Sequence, residues 1–225
     1  MKQSFELILF DMDGTLYPNN EDCRATYKEV ALRLIEEHSS VDRSEAKKLL
    51  AKHRKAFQAV VPGRATTTLV LLHNYPDISF AEFSQLVNEL HPVERVLARN
   101  ETSIAAVKKV VSAFETVLYT MNNEQTAQRV LDTIGMNELF PLEKRYTLDT
   151  WANLPVSREE RLAHVKPGLK GFTKILDDLK IAPERVLMVG DSLTSDIKPA
   201  QELKMGTFHV KASKDLQELP AWLGL

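Results

Sequence analysis

Leu7-Ile-Leu-Phe10, followed directly by Asp11-Met-Asp13-Gly-Thr15, is the stretch that decides the fold of this 225-residue chain. Four consecutive apolar residues leave no polar face, so the segment reads as a strand inside a parallel sheet covered on both sides. Two carboxylates where such a strand ends mark the crevice in which open α/β sheets hold their ligands. Asp11 and Asp13 are two residues apart, so in extended chain both side chains leave one face, about 7 Å apart. That pair suits a divalent cation or acid–base chemistry. Gly14 lets the chain turn sharply off the strand, Thr15 adds a hydroxyl, and Leu16-Tyr17-Pro18 returns to apolar and rigid residues.

Beyond Pro18 the pattern changes to long amphipathic stretches. Apolar positions recur at helical spacing over 21–38 (Tyr27, Val30, Ala31, Leu34, Ile35), and Asp42-Arg-Ser-Glu45 resembles a capped start for a helix running to about Val60. Val61-Pro-Gly-Arg64 breaks it. Further helices are predicted over 66–73 and 79–90, so residues 19–92 form an all-helical insertion. From Val93 helices and strands alternate: a helix to about Val111, a strand over 116–119, a helix over 124–134, an irregular stretch over 142–164, a helix over 168–180, a strand over 185–189, a helix over 197–203 and a strand over 206–210. This order predicts an α/β fold, a doubly wound parallel sheet built from residues 1–18 and 93–225. Within the irregular stretch, Arg158-Glu-Glu-Arg161 reads as a solvated helical turn.

Three further segments carry chemistry. Thr116-Val-Leu-Tyr119 runs into Thr120-Met121-Asn122-Asn123, a hydroxyl and two amides between a strand end and a helix start, where free N–H groups can hold phosphate. Asn122 or Asn123 is also a natural helix cap. Val186-Leu-Met-Val189 runs into Gly190-Asp191-Ser192, with Asp196 five residues beyond Asp191. Asp196 can cap the following helix, or it can join Asp11, Asp13 and Asp191 in an oxygen-rich cluster suited to Mg2+, which prefers carboxylates, retained water and phosphate oxygens. Lys166, before Pro167 and a helix starting near Gly168, is a single cation among four acids, able to hold a phosphoryl oxygen and to neutralise a nucleophilic carboxylate.

Composition narrows the partners. With 29 Lys and Arg against 31 Asp and Glu, the net charge of −2 provides no bulk attraction to nucleic acid or to an anionic membrane. Cys23, the single cysteine, excludes an intramolecular disulfide and a cysteine-built zinc site, and reads as a small filler on a helix. The amino terminus carries no secretory pattern and no apolar run approaches a membrane span, so a cytoplasmic location is the expectation.

In their order, Asp11-Met-Asp-Gly-Thr15, Thr120, Lys166 and Gly190-Asp191 through Asp196 resemble the haloacid dehalogenase-like hydrolase superfamily. Its phosphatases carry a strand followed by DxDGT, a strand ending in Ser or Thr, a Lys, and a strand followed by GDxxxxD. The resemblance implies a Rossmann-like core and a phosphatase in which Asp11 is the nucleophile that forms an aspartyl-phosphate. It makes Asp13 the acid that protonates the leaving alcohol and later activates water. Thr120, Met121, Asn122 and Lys166 would bind the phosphoryl group. Asp11, Asp191 and the backbone carbonyl of Asp13 would coordinate magnesium, with Gly190, Ser192 and Asp196 in support. The helical insertion looks like the family's first type of cap, with Arg24, Tyr27, His53 and Arg64 as polar candidates. Tyr17-Pro18 and the layout are similar to the pyrimidine 5′-nucleotidase-like branch, which implies a nucleoside monophosphate among small phosphorylated metabolites, and a monomer or homodimer. Met121 departs from the pattern, since many relatives place Asn directly after the Thr. Rival readings are a sugar phosphomutase on the same core and a receiver-type phospho-accepting domain, which leaves the insertion unexplained. Dehalogenation is disfavoured because it does not require the acid that Asp13 supplies.

Overall fold

The computed structural model describes residues 5–60 and 65–225. Its centre is β1 (Leu7–Phe10), whose four side chains are at most 1% exposed, which leaves room on either side only for other strands. Each such burial contributes about 1.5–3 kcal/mol. Along β1 the side chains alternate. Leu7 and Leu9 join one apolar cluster and Ile8 and Phe10 the other, so two helical layers cover the sheet.

After β1 come the helices of the insertion: α1 (Glu21–Ser39), α2 (Arg43–Val60), α3 (Thr67–Asn74) and α4 (Phe80–Leu90). Asn20, Thr66 and Ser79 cap α1, α3 and α4 with side-chain oxygens, as their residue types favour. The stretch expected as one helix from Val93 to Val111 is two, α5 (Val93–Val96) and α6 (Glu101–Val111). Leu97 is extended, and the Asn100 side chain accepts from Ser103 N at 3.1 Å, so a new cap starts where a continuous helix was read.

The chain then forms β2 (Glu115–Tyr119), α7 (Glu124–Ile134), β3 (Arg145–Tyr146), α8 (Leu148–Ala152), α9 (Arg158–His164), α10 (Leu169–Leu179), β4 (Val186–Gly190), a π-turn at Leu193–Ile197, α11 (Lys198–Glu202), β5 (Gly206–His209) and α12 (Ser213–Leu223). The irregular stretch 142–164 therefore supplies an edge strand and two short helices. β3 was hidden because only two residues pair with β2. All strands run parallel in the order β3-β2-β1-β4-β5, a five-stranded doubly wound sheet among the described residues. The order reverses direction beside β1, which places the ligand crevice at the carboxyl ends of β1 and β4.

The insertion is bolted to the sheet layer. Arg158, expected to be a solvated turn residue, instead donates from Nη2 to the carbonyls of Leu72 at 2.8 Å, Tyr75 at 3.3 Å and Ile78 at 2.8 Å. Those carbonyls lie at the end of α3 and in the loop after it, where the helix no longer supplies N–H partners. At the other end, Arg129 of α7 donates to Asn88 O and His91 O and pairs with Glu94. Among the described residues no helix is long and apolar enough to cross a membrane.

His91 sits at this junction, 2% exposed, its ring edge-on to Tyr27, and neither ring nitrogen has a hydrogen-bond partner among the described residues. Burial, then the nearby Arg129 cation, push its pKa down to about 4. An unfolded chain takes up a proton on His91 near pH 6.5 and the folded one resists it, so the unfolded state binds more protons between those values. Stability should therefore fall as pH drops from about 6.5 to 4, by about 2 kcal/mol from this residue. Urea unfolding at pH 7 and pH 4.5 should show the loss in the parent and a smaller loss in His91→Phe. An identical loss in both would assign the acid sensitivity elsewhere.

Candidate active site

Strand register assembles the site. Phe10 pairs with Leu118 on β2 and with Val189 on β4, so the next residues of the three central strands, Asp11, Tyr119 and Gly190, end at one level. Asp11 N donates to Val189 O at 2.9 Å, extending the ladder by one residue before the chain turns. The turn needs Gly14, whose φ is +80°, and a Cβ there would lie 2.3 Å from Asp191 Oδ2. Gly190 serves in the same way, since a Cβ would stand 2.6 Å from the Asp196 side chain.

Lys166 enters from the loop before α10, through a cis bond to Pro167, which precedes the Gly168 cap rather than lying in the first turn. Its side chain is 3% exposed, and its Nζ donates to Asp11 Oδ1, Tyr119 O and Asp196 Oδ1, each at 2.8 Å. Burial opposes the charge, but the Asp11 and Asp196 carboxylates outweigh it and hold the ammonium protonated. The Tyr119 ring, 4.4 Å from Nζ, adds its negative face. Thr15 donates to the other Asp11 oxygen at 3.1 Å.

Of the two readings open for Asp196, helix cap or member of the acidic cluster, the structure shows the second. Ser192 is the cap, its hydroxyl accepting from Ser195 N, and the chain starts the helix with the π-turn. Asp196 is thereby turned inward, with Oδ1 on Lys166 and Oδ2 accepting from Ser192 N at 3.0 Å. Burial and the Asp11 charge push its carboxyl up against the pull of Lys166. Asp191 is likewise raised, first by burial and then by Asp11, while Asn19 Nδ2 donates to its Oδ2 at 2.6 Å.

Asp13 lies in a ring of donors. Tyr17 donates to Oδ1, and Asn122 Nδ2 donates to Oδ2 at 2.6 Å. Burial and the Asp11 charge push its pKa up to about 6, against the opposing hydrogen bonds. Asn122 is itself held by Tyr27, whose hydroxyl donates to Oδ1, and by Thr120, whose hydroxyl accepts from Asn122 N at 3.1 Å. Of the two amides, Asn123 is the cap of α7 and Asn122 belongs to this network.

Asp11, Asp13, Met121, Lys166, Asp191, Ser192 and Asp196 line one cavity of about 390 Å³. Thr120 and Asn122 are buried and do not line it, and the Thr120 hydroxyl bonds to Asn122 instead. The thioether of Met121 accepts from Lys166 N at 3.1 Å, so the departing residue braces the lysine loop. From the insertion, Arg24 and Tyr27 reach the cavity with Cys23, Asn20 and Thr66–Thr68. His53 does not; its ring meets Tyr75, 5.5 Å away. Arg64 lies outside the described residues. Asn19, four residues beyond the first motif, and the Thr66–Thr68 run, far from any motif, carried no signal in the sequence, being ordinary polar residues. Tyr17, four residues after Asp13 across a tight turn, was detectable from its spacing.

The family model for haloacid dehalogenase-like hydrolases matches residues 5–204, and the chain belongs to that family. Among solved structures, 2-haloacid dehalogenase from Pseudomonas syringae pv. Tomato is 20% identical over 98% of both chains, with a TM-score of 0.55. A HAD phosphatase from Thermococcus onnurineus is 18% identical over 90% of this chain and 85% of its own, with a TM-score of 0.51. YfnB from Bacillus subtilis, described as bound to magnesium, is 19% identical over 91% of this chain and 86% of its own, with a TM-score of 0.50. At these identities the likeness is one of fold. A comparison with curated proteins gave no match. The chain is an enzyme of the hydrolase class.

Removing the ammonium leaves Asp11 and Asp196 buried and facing each other without a counter-charge. Lys166→Met should lose about 3–5 kcal/mol of stability as well as function. Urea unfolding in EDTA measures this, and a loss below about 1 kcal/mol would show that the strand ends hold together without the cation.

Proposed function

We propose that this hydrolase cleaves a small phosphomonoester through an aspartyl-phosphate on Asp11. The observation that carries the reading is Asp13, a second carboxyl lining the nucleophile's cavity whose pKa is pushed up to about 6. A halide leaves without a proton, whereas an alkoxide needs one, and a carboxyl titrating near neutrality suits the second case. An Asp11 oxygen attacks phosphorus, the bond to the leaving oxygen breaks, and that oxygen takes its electron pair and the Asp13 proton. Asp13 then accepts a proton from water, which attacks phosphorus and releases phosphate and the Asp11 carboxylate. Lys166 holds the Asp11 carboxylate in place and neutralises charge beside it.

The residues present fit a magnesium ion. Asp11, Asp191 and Asp196 offer oxygens within 4.8 Å of one another, an all-oxygen donor set of the kind a hard cation takes. The charge of Asp11 raises Asp191, so these two would hold the ion, and their mutual repulsion is what a divalent charge would relieve. When bound, the ion supplies charge stabilisation for the phosphoryl oxygens.

The insertion, residues 19–92, acts in this reading as a cap that selects the leaving group through Asn20, Arg24, Tyr27 and Thr66–Thr68. The polar lining and the volume of about 390 Å³ support a nucleoside 5′-monophosphate as the first substrate class to test. A screen over nucleotides, sugar phosphates and phosphoglycolate, with and without magnesium, identifies it. Phosphate release should stop in EDTA.

Asp11→Asn should abolish turnover with the fold intact; comparable phosphate release by the variant and the parent would remove the nucleophile from the mechanism. Asp13→Asn should slow alkyl phosphates by roughly 10²-fold or more and aryl phosphates much less, because phenolates leave without a proton. Equal losses on both would argue against its acid role.

A further inference from the structure

The Asn122 carboxamide has two ends of opposite character, and the end that meets Asp13 decides what that carboxyl can do. Nδ2 faces Asp13 Oδ2 at 2.6 Å, and Oδ1 receives the hydroxyl of Tyr27, which stands on α1 of the insertion, 95 residues away in sequence. We propose that Tyr27 is a positioning residue that fixes the orientation of Asn122 and thereby pins the plane of the Asp13 carboxyl. This rests on the phosphatase reading above.

Asn122 Nδ2 meets Oδ2 and the Tyr17 hydroxyl meets Oδ1, and the two donors together pin the carboxyl plane. As the bond from phosphorus to the leaving oxygen breaks, the electron pair goes to that oxygen and the Asp13 proton follows. If the amide turned over, its carbonyl would face Oδ2, the donor there would be lost, and the carboxyl would be held from one side only.

The other neighbours do not prevent that turnover. Thr120 Oγ1 lies 3.3 Å from Nδ2, and a hydroxyl can either accept or donate, so it serves both orientations. The phenol of Tyr27 is a better donor than acceptor, and it meets the carbonyl end. Its ring is fixed edge-on to His91 at 5.8 Å, so Phe at position 27 keeps the packing and loses only the hydroxyl.

The test is steady-state kinetics of Tyr27→Phe with magnesium on an alkyl phosphate and on p-nitrophenyl phosphate. On the alkyl phosphate kcat should fall about tenfold, a fraction of what a general acid supplies. On the aryl phosphate the loss should be under about twofold, with KM changed by under about twofold on both. In an Asp13→Asn background the same substitution should cost nothing further, as expected when two residues act through one group. Asn122→Leu, which removes both ends of the amide, should reproduce the leaving-group signature if the aromatic variant fails to fold. Equal losses on the two substrates, an undiminished loss without Asp13, or unchanged kinetics would each overturn the positioning role. If the parent releases phosphate from neither substrate, the phosphatase reading fails first, and the role falls with it.

Discussion

One buried ammonium organises this molecule. Lys166 Nζ touches a carboxylate just after β1, a carbonyl at the end of β2 and a carboxylate beyond β4, so three neighbouring strands meet at a single charge. Stranding a lysine in an apolar interior is costly. Here two acids and a ring face offset that cost, and the same acids would repel each other without it. The arrangement that stabilises the sheet edge is thus the arrangement that fixes the Asp11 carboxylate in the cavity.

Around that centre the two acids of the first motif occupy different settings. Asp11 is paired to a cation, while Asp13 receives only neutral donors and feels the charge of Asp11. A cation beside one carboxyl, and neutral donors around another whose pKa is pushed up, is the division of labour that a nucleophile and an acid require. The cap contributes through a hydroxyl of α1 and through the polar wall of the cavity, and it is anchored by Arg158 and Arg129 to the layer below.

Much of this was legible in the chain. Strands without a polar face, β1, β2 and β4, announce themselves because their burial on both sides leaves a run of apolar residues, and Asp11 and Asp191 stand directly after two of them. Signals that depend on distant partners were not legible. β3 has only two paired residues, and its place is set by β2 rather than by its own composition. Arg158 looks like any surface arginine until α3 and the loop after it present three carbonyls to it. Asp196 could equally have been a cap by its position, and only the structure shows Ser192 in that role and Asp196 on Lys166.

By itself, then, the order of residues determined the parallel sheet, the helical insertion and the acids at the strand ends, because hydrophobic period and motif spacing are local properties of a chain. Tertiary structure alone decided the orientations: which way Asn122 faces, which donors meet Asp13, and which insertion residues see the cavity. Those depend on hydrogen bonds between side chains about a hundred residues apart, and such partners are chosen by packing in three dimensions.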